Sequence, residues 1–141
     1  MEKVRDIQGE YREADELAQP EEYQKFLSVA FQYADTICLT YNREMKDFRA
    51  SQWSFLHDSV VNHEYTRQTP VTKGPSVLLL YLRIDKTTKK WLQEKHDIYD
   101  FDAAGAERLE DLCFCKDGSV IFKSCTHEEF CYIASDLSDR L

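Results

Sequence analysis

The stretch Ser76 to Ile84, SVLLLYLRI, places apolar side chains on both faces of an extended chain. A strand of that kind holds its place only when covered above and below. It therefore predicts the central strand of a sheet, and the rest of the chain must supply its neighbours and covering layers. Thr36 to Tyr41 (TICLTY) is short and dominated by β-branched and aromatic residues, which predicts a second strand. The clearest local signal is Asp117-Gly118, set between the β-rich runs Leu112 to Cys115 and Ser119 to Phe122. An Asp-Gly pair in that position predicts a hairpin. Closing over residues 116–118 would put Leu112, Phe114, Val120 and Phe122 on one face and pair Asp111 with Lys123. Closing over two residues would mix apolar and polar side chains on both faces. Burial favours the longer loop, with Gly118 in a left-handed bulge and Cys113 and Cys115 on the opposite face.

Helical periodicity fills much of the remainder. Over residues 2–18, Val4, Ile7, Tyr11, Ala14 and Leu17 recur as one apolar stripe on a charged background. Pro20, followed by Glu21 and Glu22, opens a second helix whose stripe runs through Tyr23, Phe26, Leu27, Ala30, Phe31 and Ala34. Together they predict a helical hairpin. Thr87 and Thr88 can cap a helix holding Trp91, Leu92 and Lys95 and ending near Asp97, and a short helix over 103–109 is a further option. The segment 43–65 fits a helix in its first half, while Trp53-Ser54-Phe55 and Ser59-Val60-Val61 read equally as strands. Arg67 to Pro75 has turn chemistry and predicts an exposed loop. Residues 126–134 admit a capping box, Thr126 with Glu129, or a strand over Phe130 to Ile133; composition favours the strand.

No repeat, low-complexity tract or composition shift divides the chain, so residues 1–141 read as a single domain. The expected architecture is α+β: an N-terminal helical hairpin packed on a small mixed or antiparallel sheet of about four or five strands, with a C-terminal β-hairpin. A chain of 141 residues buries enough surface to need neither disulfide nor metal. The first residues show no apolar signal region, and the longest apolar run, Val77 to Leu82, is too short to span a bilayer. Four of the five cysteines sit directly beside apolar residues, and all five are expected to be buried thiols in a reducing compartment. The expected location is the cytoplasm, with no membrane association.

Charge is unevenly distributed. The formal net charge of −8 divides into −5 over residues 1–35, +4 over 36–96 and −7 over 97–141. Asp97, Asp100, Asp102, Glu107, Glu110 and Asp111 fall within fifteen residues, opposed only by Arg108. Such a cluster repels nucleic-acid phosphates and attracts basic protein surfaces, so direct nucleic-acid binding is not expected. Lys86, Lys89, Lys90 and Lys95 in the middle segment read as the solvent face of a helix.

The motifs for chemistry are incomplete. Cys113, Cys115, Cys125, His127 and Cys131 offer zinc donors. In the favoured hairpin, however, Cys125 lies four residues along the strand from Cys113, roughly 13 Å away, beyond any shared ion. No metal site and no cofactor are expected. His57 and His63 are too far apart to act as the facing pair of an HExxH helix, and His127-Glu128 is half of one. There is no G-x-S-x-G elbow, P-loop or G-x-G-x-x-G. The expectation is a protein that is not an enzyme.

What remains is a stoichiometric binding protein that occludes a basic, nucleic-acid-acting partner protein. In size, acidity and lack of catalytic motifs the chain resembles, in general outline, bacterial toxin immunity proteins and phage-encoded nuclease inhibitors, including anti-CRISPR proteins. The expected partner-binding residues are Asp97, Asp100, Asp102, Glu107, Glu110 and Asp111, with Tyr99 and Phe101 as aromatic anchors. The alternatives are a housekeeping interaction domain whose acidity secures solubility, and a zinc-dependent enzyme using His57, His63 or His127.

Overall fold

The computed structural model describes residues 5–6, 10–41, 54–101 and 107–141, the pair 5–6 and Ser54 by backbone alone. Among the described residues eight strands form one sheet. Seven run in the order β2-β8-β7-β6-β3-β5-β4: β2 (Tyr11–Glu13), β3 (Thr36–Tyr41), β4 (Val60–Gln68), β5 (Lys73–Arg83), β6 (Leu109–Lys116), β7 (Ser119–Cys125) and β8 (Phe130–Ala134). The eighth, β1 (Arg5–Asp6), adds in parallel to β7, whereas every pairing among the seven is antiparallel. Among the described residues the helices are α1 (Pro20–Tyr33), α2 (Lys86–Gln93) and the single turn α3 (Ser135–Ser138), with 3-10 turns at Asp15–Ala18 and Ser54–Ser59. No described helix is long and apolar enough to cross a membrane.

The sheet is larger than the four or five strands expected, and the N-terminal helical hairpin is absent. Only its second member, α1, is a helix. Of the apolar stripe of residues 2–18, Tyr11 lies in β2, Leu17 in the 3-10 turn and Ala14 between them, while Val4 and Ile7 lie outside the described residues. Ala14 and Leu17 are fully buried, as the stripe requires, but strand pairing puts them there. β2 lies along β8, with Tyr11 opposite Ala134 and Glu13 opposite Tyr132. A three-residue spacing of apolar positions is met as well by a strand running into a 3-10 turn as by an α-helix. Gly9 inside the stripe, unfavourable in a helix by about 1 kcal/mol, was the signal against it. The pairing also closes an edge of β8 that would otherwise be open to other chains.

Strand β5 behaves as its sequence demands. Leu78, Leu80 and Leu82 join the main core under the helices, while Leu79 and Tyr81 join a smaller apolar layer on the opposite face. It lies between β3 and β4, one place in from the edge rather than at the centre, which falls at β6. The loop expected over 67–75 is shorter: β4 runs to Gln68, β5 starts at Lys73, and Thr69 binds Thr72 across the turn. Pro75 fits inside a strand because the register shifts there. Thr66 faces Val77 but Gln68 faces Lys73, so two extra residues bulge out of β5 where a missing N–H interrupts no ladder. Helix α2 is capped by Asp85, whose carboxylate accepts from the Thr88 N–H while Thr88 Oγ1 accepts from the Asp85 N–H. The helical half of 43–65 falls mostly outside the described residues; the rest is the 3-10 turn and the start of β4.

The hairpin is present, but its loop has two residues. Lys116 pairs with Ser119, and both Asp117 (φ 52°) and Gly118 (φ 82°) are left-handed, the backbone of a type I′ turn. The mixing of faces that disfavoured this loop is relieved one residue further on. Cys115 faces Val120 and Phe114 faces Phe122, so Ile121 is a bulge residue. Val120 therefore joins Cys113 and Cys115 on the far face, while Phe114 and Phe122 stay in the main core. Residues 130–134 are the strand that composition favoured. Glu129, at φ 55°, belongs to the preceding turn and not to a capping box.

Candidate functional site

The acidic segment expected to form a partner surface divides on folding. Asp97 to Phe101 is a loop tied together by its own carboxylates. Asp97 Oδ1 accepts from the Tyr99 N–H and Asp100 Oδ2 from the His96 N–H, both at 2.8 Å, and His96 Nδ1 lies 3.1 Å from Asp97 Oδ2. The Ile98 N–H donates to the Leu17 carbonyl and the Ile98 side chain is fully buried. These contacts dock the loop on the 3-10 turn that follows β2. Asp100 stays exposed, Asp97 and Tyr99 are half-buried, and Phe101 turns inward against Trp91, 5.8 Å away.

The second half of the segment goes elsewhere. Glu107 is engaged on both oxygens: Trp91 Nε1 donates at 3.1 Å and Lys95 Nζ lies at 2.9 Å. Glu110 sits half-buried in β6, opposite Thr40. Asp111 is buried at 5% exposure, with a left-handed backbone; its Oδ1 accepts from the Thr126 N–H while its own N–H donates to Thr126 Oγ1. Burial pushes its carboxyl up to about 7 against the Thr126 N–H and nearby His127, which pull it down. Asp102 lies outside the described residues. Asp97, Tyr99 and Asp100 are thus brought together; Phe101, Glu107 and Asp111 are largely occupied in holding the fold.

Docking of the loop recruits acids that the sequence reading missed. The Tyr99 side chain is half-buried, and its pKa is raised, by burial first, then by interaction with Cys131 and by the charges of Asp15 and Glu129. Cys131 in turn lies close enough to Glu16 and Asp15 to feel both. Three segments distant in sequence therefore meet here, tied by the Ile98–Leu17 and Ala14–Cys131 backbone hydrogen bonds. Glu16 is paired with Arg12 at 2.9 Å, whereas Asp15, Asp100 and Glu129 enter no ion pair among the described residues. No local pattern could have announced this grouping, because it depends on β2 pairing with β8.

The thiols are arranged differently from the expectation. Cys113 faces Lys123, so Cys125 is two residues from Cys113's partner, not four, and the 13 Å separation does not hold. Cys38, on β3, lies directly opposite Cys113. Cys131 points to the other face and donates to the Ala14 carbonyl at 3.3 Å. Among the described residues no three His, Cys, Asp or Glu side chains converge as metal ligands. His57 lies on the 3-10 turn, His63 on β4 and His127 on the turn before β8, three separate places. All five cysteines are buried and unbridged, and burial raises the pKa of each, that of Cys115 to about 12 with help from Asp35. Thiolate is the reactive form. Iodoacetamide at pH 8 should therefore alkylate the native protein at least about a hundredfold more slowly than free cysteine, and all five sites should react in denaturant. Rapid uptake of one equivalent by the folded chain would show a thiol outside this buried set.

No family model matches the chain, and no curated protein or solved structure matches it either.

Proposed function

We propose that the chain is a non-enzymatic binding protein of the cytoplasm that occludes a basic, nucleic-acid-acting partner protein, as toxin immunity proteins and phage-encoded inhibitors of nucleases or CRISPR effectors do. The observation that carries this reading is that the Asp97–Asp100 loop is docked by the Ile98–Leu17 hydrogen bond on the 3-10 turn that carries Asp15, which the Ala14–Cys131 hydrogen bond in turn ties to the start of β8, next to Glu129. A surface that must bind phosphate-contacting lysines and arginines needs carboxylates at a fixed spacing, held by a rigid frame. The loop's internal hydrogen bonds and its anchor on Leu17 supply that frame. Tyr99 offers a half-buried aromatic body at the centre of the charges, as an interface anchor does. Free thiols throughout suit a reducing compartment.

Long-range attraction between this face and a basic partner acts mainly on the rate of encounter. Reversing Asp15 and Asp100 together to lysine should lower the association rate with a basic nuclease partner by about tenfold at low ionic strength. Reversal of Asp136, on α3, should change it little. The difference should shrink as salt is raised, since screening removes the field of exposed charges. Surface-plasmon kinetics at two salt concentrations measure all three. Equal association rates for the double variant and the parent chain would remove this face from the mechanism.

A further inference from the structure

A second concave site lies where α2 meets the 3-10 turn Ser54–Ser59. It is a cleft of about 410 Å³ lined by Phe55, Lys86, Thr87, Lys90, Trp91 and Glu94. That volume falls in the range of small-molecule sites. Its aromatic wall is unusual: Phe55 is 50% exposed, although its ring meets Trp91 edge-on at 6.3 Å. The indole behind it is fixed. Trp91 is 7% exposed, its Nε1–H donates to Glu107, and the Lys95 ammonium lies 5.0 Å from the ring.

Polar groups are graded along the cleft. Lys86 and Lys90 are one helical turn apart on α2 and share a face. Neither is in an ion pair among the described residues, in a chain whose net charge is −8. The Thr87 hydroxyl lies beside them, and the capping box of Asp85 and Thr88 fixes the first turn that carries them. Glu94, one turn beyond Lys90, brings the only carboxylate in the lining. Two ammonium groups at one end, an aromatic wall alongside and an acceptor at the far end suit a ligand with an anionic head, a flat ring and hydroxyl or amine donors.

We propose that this cleft binds a nucleoside monophosphate. The phosphate lies between Lys86 and Lys90, the base packs on Phe55, and Glu94 accepts from a sugar hydroxyl or base amine. Surface lysines alone would hold inorganic phosphate as readily; the exposed ring beside them selects the nucleotide.

Titration calorimetry on the full chain at low ionic strength, with adenosine monophosphate, adenosine and inorganic phosphate as separate probes, tests this. The monophosphate should bind with a Kd on the order of 100 µM, and adenosine and phosphate at least about tenfold more weakly. Phe55→Ala and Lys90→Glu should each weaken the monophosphate by about tenfold. Lys86→Glu/Lys90→Glu, which alters only exposed side chains, provides the same reading should Phe55→Ala fail to fold. Three results overturn the proposal: no heat at about 5 mM monophosphate, far above the expected Kd; phosphate binding as tightly as the nucleotide; or a folded Phe55→Ala protein with unchanged affinity.

Discussion

Phe114→Ala should destabilise the protein by about 4 kcal/mol and move its urea midpoint down by roughly 2 M. Phe114 sits on β6, the middle strand of the sheet, and is fully buried. Its ring is the meeting point of helix and sheet. Phe26 of α1 packs edge-on against it at 5.7 Å, Phe31 does so at 6.1 Å, and Phe122 faces it across the β6–β7 ladder at 6.2 Å. Phe26 and Phe122 also touch, at 4.7 Å. Truncation removes the transfer energy of the ring, opens a cavity that three surrounding rings cannot all fill, and deletes aromatic pairs worth about 0.5–1.5 kcal/mol each. Against a total stability of about 5–15 kcal/mol, that loss takes a large part of the population at 37 °C. Phe114→Leu keeps most of the volume and should cost less than half as much. A loss below about 1 kcal/mol in Phe114→Ala would mean that α1 does not cover the sheet at this point.

The same residues show how much of the fold could be read in advance. The stripe of α1 and the two-faced run of β5 were legible because each pattern is satisfied by one partner surface, whatever its details. Asp117-Gly118 announced a turn unambiguously, yet its length was misread, since the bulge at Ile121 that repairs the facing of Val120 leaves no trace in residue types. Residues 2–18 failed for a different reason. The apolar spacing marks Ala14 and Leu17 as buried, but not whether a helix or a short strand and a 3-10 turn bury them. That choice was made by the unpaired edges of β7 and β8, which lie more than a hundred residues away. The candidate site has the same weakness. Asp97, Tyr99 and Asp100 were visible as an acidic, aromatic cluster. Asp15 and Glu129 became their neighbours only through the β2–β8 pairing and the Ile98–Leu17 hydrogen bond. Asp111 looked like one more surface charge because composition carries no information about burial.

Asp111→Asn should make the protein more stable at pH 8, by about 2–4 kcal/mol, and the gain should disappear in acid. A carboxyl whose folded-state pKa is about 7, against about 3.9 in an unfolded chain, is protonated more readily when folded. Between those two values the native state binds the extra proton, so stability falls as pH rises from about 4 to about 7 and the full penalty persists above. Asparagine removes the buried charge and keeps what the position requires. Its Oδ1 can accept from the Thr126 N–H, as Asp111 does now, and its backbone tolerates the left-handed conformation at φ 58° better than other residues except glycine. Glu110 adds to the upward push on Asp111 and His127 opposes it. The measurement is a set of melting curves for parent and Asp111→Asn from pH 4 to 9. At pH 8 the variant should melt at least about 5 °C higher, with the curves converging below about pH 4. A variant less stable than the parent at pH 8 would show that the Asp111 carboxylate is held by a cation, and that the start of β6 is built around a charge rather than a buried acid.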